Sequence, residues 1–207
     1  MGYDKGKLSK EQILKAASAV VLEKGFAATS IADLSQAAHT SAGKLTHHFP
    51  TKADLFEAIS GKMMLGFEAG PVALLGDQSL PPERRIENFF DAIYQFYSFQ
   101  TGIIGCPLGH VAGGGEGVSP FMQQEALALL RKTETLFMQA FLDLLDPPDL
   151  ARTKATVFVS SWQGAVVVSR AGKGIGYIRE VFSSLNAIAL LQPGIALLQP
   201  GASPLEY

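Results

Sequence analysis

A cysteine and a histidine four residues apart are the side chains of this 207-residue sequence whose types and spacing could support covalent chemistry. Pro107 is suited to the first position of a helix, which would make Cys106 the N-cap of that helix. Helix N-terminal amides lower the pKa of a thiol, and His110, one turn further on, could favour the thiolate. Two interpretations stay open: a reactive thiol, or a small buried side chain that packs as alanine does.

An enzyme using Cys106 as nucleophile and His110 as base is the alternative function that this pair suggests. Covalent catalysis also needs a third orienting group and an oxyanion site, and no sequence feature marks either. The sequence also has no phosphate-binding loop and no metal-ligand spacing such as H-E-x-x-H. We therefore predict that the protein is not an enzyme and has no catalytic residues, no metal site and no cofactor.

Polar residues between positions 41 and 52 could instead contact nucleic acid. Ser30 and Asp33 form a capping-box pattern at the start of one short helix. Ser41 can cap a second helix, in which Leu45 and Phe49 lie four residues apart and point into a common core. The opposite side of that helix is polar. The order helix, tight turn, polar-faced helix is how a helix-turn-helix presents its recognition helix to the major groove.

The residues of this stretch also resemble a known family. The order A-A-x-x-S-x-G-x-L-x-x-H-F-P-x-K-x-x-L-F, matched from Ala37 to Phe56, is similar to the signature of the TetR/AcrR transcriptional repressors. With the preceding helix, the resemblance covers residues 9–60. It implies an all-α fold, with an N-terminal three-helix helix-turn-helix DNA-binding domain at 1–60 and a helical ligand-binding and dimerisation domain at 61–191. Residues 192–207 are expected to form a mobile tail.

The resemblance implies a homodimer that binds double-stranded operator DNA and is released by a small-molecule inducer. His39 and Thr40 stand where the family usually has glycine and valine, and Thr46 and His47 stand where it usually has two aromatics. The predicted DNA-binding residues are Ser41, Ala42, Lys44, Thr46, His47 and Lys52.

A ligand site is predicted in the second domain, because residues 83–100 carry more aromatic surface than one helical face can bury. Small-molecule sites are concave and largely apolar, although most of these aromatics could equally be ordinary core residues. We expect the inducer to be apolar, aromatic or electrophilic. The predicted ligand-binding residues are Phe89, Ile93, Phe96, Tyr97, Cys106, His110, Met122, Phe137, Phe141 and Trp162.

The two helices predicted at residues 149–172 and 175–191 are apolar on more than one face and include small residues that allow close approach. Such a pair is best buried against a symmetric copy, as a four-helix dimer interface. Val166 and Ile188 are the residues expected in that interface. Residues 70–80, by contrast, are expected to form a loose connection.

Composition and charge agree with a globular DNA-binding protein. The hydrophobic content is 47% and the net charge is −2, but residues 1–62 hold eight lysines against six acidic residues. A mildly positive first part fits contact with DNA. A polar start, a single cysteine and the lack of a long apolar run predict a cytoplasmic protein without a membrane span.

Overall fold

The computed structural model describes residues 10–24, 28–98, 105–114 and 118–191, and these residues form helices and turns without a β-strand. The all-α prediction is confirmed. Residues 1–9 and the predicted tail at 192–207 lie outside the described ranges. The helices are α1 (Lys10–Lys24), α2 (Ile31–Ala37), α3 (Ala42–His48), α4 (Lys52–Phe67), α5 (Ala73–Gly76), α6 (Pro82–Ser98), α7 (Pro107–Ala112), α8 (Pro120–Asp143), α9 (Pro148–Val168) and α10 (Gly174–Ala189).

Helices α1 to α4 share one hydrophobic core. Ile13, Ala17 and Val21 recur every four residues on α1, so they lie on one face of that helix, and all three are buried. They pack with Leu34 of α2, Leu45 of α3 and the first half of α4. Leu45 and the adjoining Phe49 are buried, as their spacing predicted.

Two capping boxes fix where α2 and α4 begin, and both were predicted. The Ser30 hydroxyl accepts a hydrogen bond from the Asp33 N–H at 3.1 Å, and the Asp33 carboxylate accepts one from the Ser30 N–H at 2.9 Å. Thr51 and Asp54 make the same pair of bonds at 3.0 Å and 2.9 Å. Each box satisfies N–H groups that the first helical turn would leave unpaired, so α3 lies between two fixed helix starts.

The turn between α2 and α3 carries two unfavourable features. His39 has φ = 48°, in the left-handed region that favours glycine. The Thr40 backbone N–H donates to the Ser35 carbonyl at 2.9 Å, but the Thr40 hydroxyl is buried without a hydrogen-bond partner in the described part of the chain. His39 and Thr40, two of the positions at which this sequence departs from the family pattern, therefore lower the stability of the turn.

Replacing Thr40 by valine is expected to raise the free energy of unfolding by about 1 kcal/mol, because valine keeps the shape and removes the unpaired hydroxyl. Urea-induced unfolding at fixed protein concentration measures the change. The control is Thr153→Val on α9, where the exposed hydroxyl donates to the Asp149 carbonyl at 2.8 Å and no gain is expected. An equal effect of both substitutions would contradict the prediction.

The expected loose connection at residues 70–80 is wrong for most of its length. The chain continues from α4 through a wide π-helical turn, Glu68–Val72, directly into α5. This turn accommodates Pro71, which has no N–H to donate and whose ring would clash with a carbonyl of a regular α-helix. Burial of Val72 and Leu75 keeps the segment on the protein body, so glycine and proline here mark a change of helix type.

Helices α6, α8, α9 and α10 enclose a second core that is rich in aromatic rings. Phe89 and Phe90 of α6 contact Phe137 of α8 with ring centroids 4.9 Å and 5.7 Å apart. Phe158 of α9 lies edge-on to Phe141 of α8 at 4.9 Å. Edge-to-face and tilted pairs of this kind add to the stabilisation from burial alone.

Lys154 of α9 makes a buried ion pair and also contacts the chain at the end of α10. The Lys154 ammonium lies 2.7 Å from the Asp146 carboxylate, and the two residues are only 8% and 6% exposed. The same ammonium donates to the carbonyl of Leu191 at 3.0 Å and lies 3.4 Å from that of Ala189. Lys154 thus binds the last carbonyls of α10, where the helix dipole favours a cation.

The outer faces of α9 and α10 remain apolar. Val157 and Val168 on α9 and Ile188 on α10 are exposed, with Ser160 and Gly164 between the two valines. Val166, which we expected in a dimer interface, is fully buried inside the protomer. Its placement was wrong because α9 is apolar around most of its circumference, and periodicity does not tell the inner face from the outer one.

Candidate DNA-binding surface and ligand cavity

Helix α3 exposes the polar residues predicted to contact DNA. Its N-cap is Ser41, whose hydroxyl accepts from the Lys44 N–H at 3.2 Å. Because Leu45 and Phe49 hold one side of the helix in the core, the other side faces outward. The exposed predicted residues are Ser41, Ala42, Lys44, Thr46 and His47.

The sixth predicted residue, Lys52, begins α4 on the far side of Pro50 and is partly buried. Its ammonium lies 4.9 Å from the centre of the Phe56 ring, and Lys10 at the start of α1 lies 5.2 Å from the centre of the Phe49 ring. Both cations rest on aromatic rings of the first core. Lys10 and Lys52 therefore add positive charge beside α3.

A cavity of about 350 Å³ lies where the two cores meet. Such a volume is at the lower end of the about 300–1,000 Å³ range of small-molecule sites. Its walls are mainly aliphatic, aromatic and thioether side chains, and Lys62 is the charged residue among the described lining residues. The lining comprises Ser18, Ser60, Lys62, Met63, Met64, Gly66, Phe67, Pro71, Ala92, Ile93, Phe96, Tyr97, Cys106, Pro107, Leu108, Val111 and Trp162.

Half of the predicted ligand residues line this cavity: Ile93, Phe96, Tyr97, Cys106 and Trp162. The other half do not. Phe89, Phe137 and Phe141 are fully buried in the second core, Met122 is buried on α8, and His110 lies partly exposed on α7. Sequence reasoning found the aromatic layer but could not separate the residues that fill the core from those beside the empty space.

Trp162 is placed in the wall by two aromatic neighbours. Its ring stacks on Phe67 with centroids 5.3 Å apart and planes 7° apart, and Phe89 packs against its edge at 5.5 Å. The indole Nε1–H is buried and has no hydrogen-bond acceptor among the described residues. An unpaired buried donor costs about 1–3 kcal/mol, so the wall contains a polar group that a bound acceptor could satisfy.

Cys106 is the N-cap of α7, as predicted, with Pro107 at the first helical position. Its sulfur accepts from the Gly109 N–H and from the Gln163 side-chain amide, each at 3.4 Å. Gly109 leaves room for that amide, since a Cβ at this position would lie 2.5 Å from Gln163 Oε1. The Leu108 N–H and the Tyr97 hydroxyl also interact with the sulfur, so several donors surround it.

Of the two interpretations of Cys106, the structure favours the small buried side chain over the reactive thiol. Burial raises the pKa of the Cys106 thiol above its ordinary value, although the Gly109 and Gln163 donors oppose this shift. Burial together with the charge of Arg170 lowers the pKa of His110. Both shifts favour the uncharged side chain, and at Cys106 desolvation outweighs the hydrogen bonds that the sulfur accepts.

The family is decided by sequence matches to both halves of the chain. The family description "Bacterial regulatory proteins, tetR family" matches residues 13–59, and "Transcriptional regulator LmrA/YxaF-like, C-terminal domain" matches residues 82–183. The chain belongs to the TetR family. It is a transcriptional regulator with a helix-turn-helix DNA-binding domain formed by α1 to α4.

Relatives of known sequence and structure agree with the TetR assignment. The chain is 25% identical over 167 residues to the HTH-type transcriptional repressor DhaR of Mycobacterium sp. strain GP1, covering 76% of this chain and 80% of that protein. A TetR regulator from Legionella pneumophila has a TM-score of 0.74 at 20% identity, covering 89% of this chain and 98% of the other. One from Streptomyces coelicolor has a TM-score of 0.72 at 18% identity, covering 87% and 93%.

Several cavity residues of this TetR-family protein were not predicted. Met63, Met64 and Phe67 lie near the end of α4, and Leu108 and Val111 lie on α7. The adjacent methionines were a usable signal, because methionine is enriched at adaptable binding surfaces. Helical spacing alone assigned the α4 residues to a core.

Two features are absent from the residues that the structure describes. None of their helices is long and apolar enough to cross a bilayer. They also contain no group of three or more histidine, cysteine or acidic residues arranged to hold a metal ion.

Proposed function

We propose that the protein is a homodimeric repressor that binds double-stranded operator DNA through α3 and is released by a small apolar ligand in the cavity. The observation that carries the proposal is the polar face of α3, which is held outward by Leu45 and Phe49. Two such helices on a symmetric dimer would enter successive major grooves, about one helical turn apart. The protein acts in the cytoplasm, because the operator DNA that it is proposed to bind lies in that compartment.

Each of the six predicted DNA-binding residues has a proposed role at the DNA. Ala42, Lys44 and Thr46 face the base edges, whereas Ser41 and His47 contact phosphates. Lys52 meets a phosphate at the N-terminus of α4, where the helix dipole also favours an anion. The Thr46 hydroxyl donates to the Gly43 carbonyl at 3.1 Å in the free protein, so it would exchange this bond for one to DNA.

Lys44 and Lys52 should respond differently to substitution. Lys44→Ala is expected to weaken operator binding by about 1–3 kcal/mol and to relax base preference at one position. Lys52→Ala is expected to weaken binding to all DNA sequences alike. It should also lower the slope of log affinity against log salt concentration by about one unit. Fluorescence anisotropy with a duplex selected from a random-sequence pool, at several salt concentrations, measures both effects.

Lys173→Ala is the control for these two variants, because Lys173 is an exposed cation of the second domain. We expect it to leave both the affinity and the salt slope unchanged. If all three variants bind the selected duplex as tightly as the wild type, α3 is not the recognition helix.

The proposed dimer joins α9 and α10 to the same helices of a second copy. Val157, Val168 and Ile188 supply apolar area, and Ser160 and Gly164 let the helices approach closely. Burying these side chains removes apolar surface that one chain leaves in water. The symmetric arrangement also sets the spacing of the two recognition helices.

The cavity supports a ligand-responsive regulator rather than an enzyme. A covalent catalyst would need an ionised thiol and an active base, whereas burial raises the pKa of Cys106 and lowers that of His110. The apolar walls and the unpaired Trp162 N–H favour a ligand that is largely apolar and carries a hydrogen-bond acceptor. Quenching of Trp162 fluorescence by a compound that also releases the selected duplex would support this function, and turnover of esters or thioesters would contradict it.

A further inference from the structure

The two hydrophobic cores meet on α4 without merging. Met63 packs against the core of the DNA-binding domain, whereas the next residue, Met64, packs with Phe67 against the core of the second domain. All three side chains line the cavity. The cavity therefore lies at the seam between the two domains, and its walls come from both.

Helix α1 reaches this seam through Ser18. The core face of α1 carries Ala17, and the next residue is rotated by about 100° around the helix axis. This rotation places Ser18 beside the cavity, where it is partly exposed and its hydroxyl donates to the Leu14 carbonyl at 2.7 Å. Pro107 and Leu108 of α7 line the same cavity from the second domain.

The lining also limits the chemistry of an occupant. The described lining residues include no carboxylate, and Lys62 would repel a cation. Aromatic rings and two thioethers suit a flat apolar molecule. A neutral aromatic ligand matches these walls, whereas a cationic one would lose hydration without gaining a counter-charge.

We propose that the cavity binds a neutral aromatic ligand that contacts the DNA-binding domain itself, at Ser18 of α1, as well as α7 and α6. This rests on the proposed function and adds how the site is coupled to DNA. The ligand fills the gap between the two cores and so fixes the position of α1 relative to α7. Because α1 packs against α2, and α2 packs against α3, a shift of α1 is passed on to the proposed recognition helix.

The test uses N-phenyl-1-naphthylamine, a neutral aromatic probe whose absorption overlaps indole emission. Trp162 is the only tryptophan in the sequence and lines the cavity, so quenching of its emission reports occupancy directly. We expect saturable quenching with the full-length wild type. Ser18→Leu should raise the dissociation constant of the probe about tenfold, because the larger side chain enters the seam.

Ala19→Leu is the matched control, since Ala19 is exposed on the same helix and does not line the cavity. It should bind the probe as the wild type does. Equal affinities of Ser18→Leu and Ala19→Leu would overturn the contact with α1 while leaving the ligand site in place. No quenching of the wild type would instead overturn the proposed ligand site.

A second pair of variants tests the same contact even if Ser18→Leu fails to fold. In a Cys106→Ala background, Ser18→Cys and Ala19→Cys each introduce one thiol with little change in size. Saturating probe should slow the labelling of the first thiol by maleimide at least fivefold and leave the second unchanged. Equal labelling of Ser18→Cys with and without the probe would overturn the proposal.

Discussion

Replacing Lys154 by methionine is expected to lower the free energy of unfolding by about 3–5 kcal/mol, because the Asp146 carboxylate would stay buried without its cation. The loss extends to the end of α10, because the same ammonium donates to the carbonyl of Leu191, two residues beyond that helix. Urea-induced unfolding at a fixed protein concentration measures it. A fixed concentration matters because the proposed association of subunits would contribute to apparent stability.

Lys132→Met is the matched control for this prediction. Lys132 pairs with Glu68 at 2.5 Å, but both side chains are about half exposed. An exposed pair contributes about 0–1 kcal/mol, so the control should be almost neutral. The double variant Lys154→Met, Asp146→Leu should recover much of the stability, because it removes the isolated charge. Similar losses for Lys154→Met and Lys132→Met would contradict a special role for the buried pair.

Placing glutamate at Val157 or Ile188 is expected to give monomers that bind the selected duplex about 10²–10⁴-fold more weakly, since the second recognition helix is no longer tethered. These residues are 45% and 40% exposed in the single chain, so a charge there does not disturb its core. In the dimer the same charge would be buried without a partner. Sedimentation velocity gives the oligomeric state, and anisotropy gives the affinity.

Leu65→Glu is the control for the dimer variants. Leu65 is 68% exposed on α4, outside the surface formed by α9 and α10. We expect this variant to remain dimeric, although it loses an apolar side chain of similar size. If Val157→Glu and Ile188→Glu also remain dimeric, the interface lies elsewhere.

Local signals in the sequence were sufficient to predict where α2, α4 and α7 begin. The pairs Ser30 with Asp33 and Thr51 with Asp54 are three residues apart, so each capping box depends on nothing outside one turn of chain. Cys106 as an N-cap before Pro107 was predictable for the same reason. The pKa of the Cys106 thiol was not predictable, because its burial and hydrogen bonds depend on residues as distant in the sequence as Gln163.

The lining of the cavity was only half predictable. Phe89 and Ile93 lie one turn apart on α6, yet the first fills the core and the second lines the cavity. The difference arises from what α4 and α7 place opposite each residue, and helical spacing carries no such information. The same limit applies to Val166, since a helix that is apolar on several faces does not reveal which face meets the protomer core.

The position of the cavity between two separate cores has a consequence for how such regulators diverge. Fully buried positions such as Ile13 or Phe158 tolerate little change, because a lost methylene leaves a void that costs stability. Met63, Met64 and Phe67 are only partly buried and border the cavity. Substitutions at these positions would change the shape of the cavity, and so the compound that fits it, with little loss of stability in either core. A lineage can thus acquire a response to a new chemical by altering the seam, while the operator it binds and the scaffold that holds α3 are inherited unchanged.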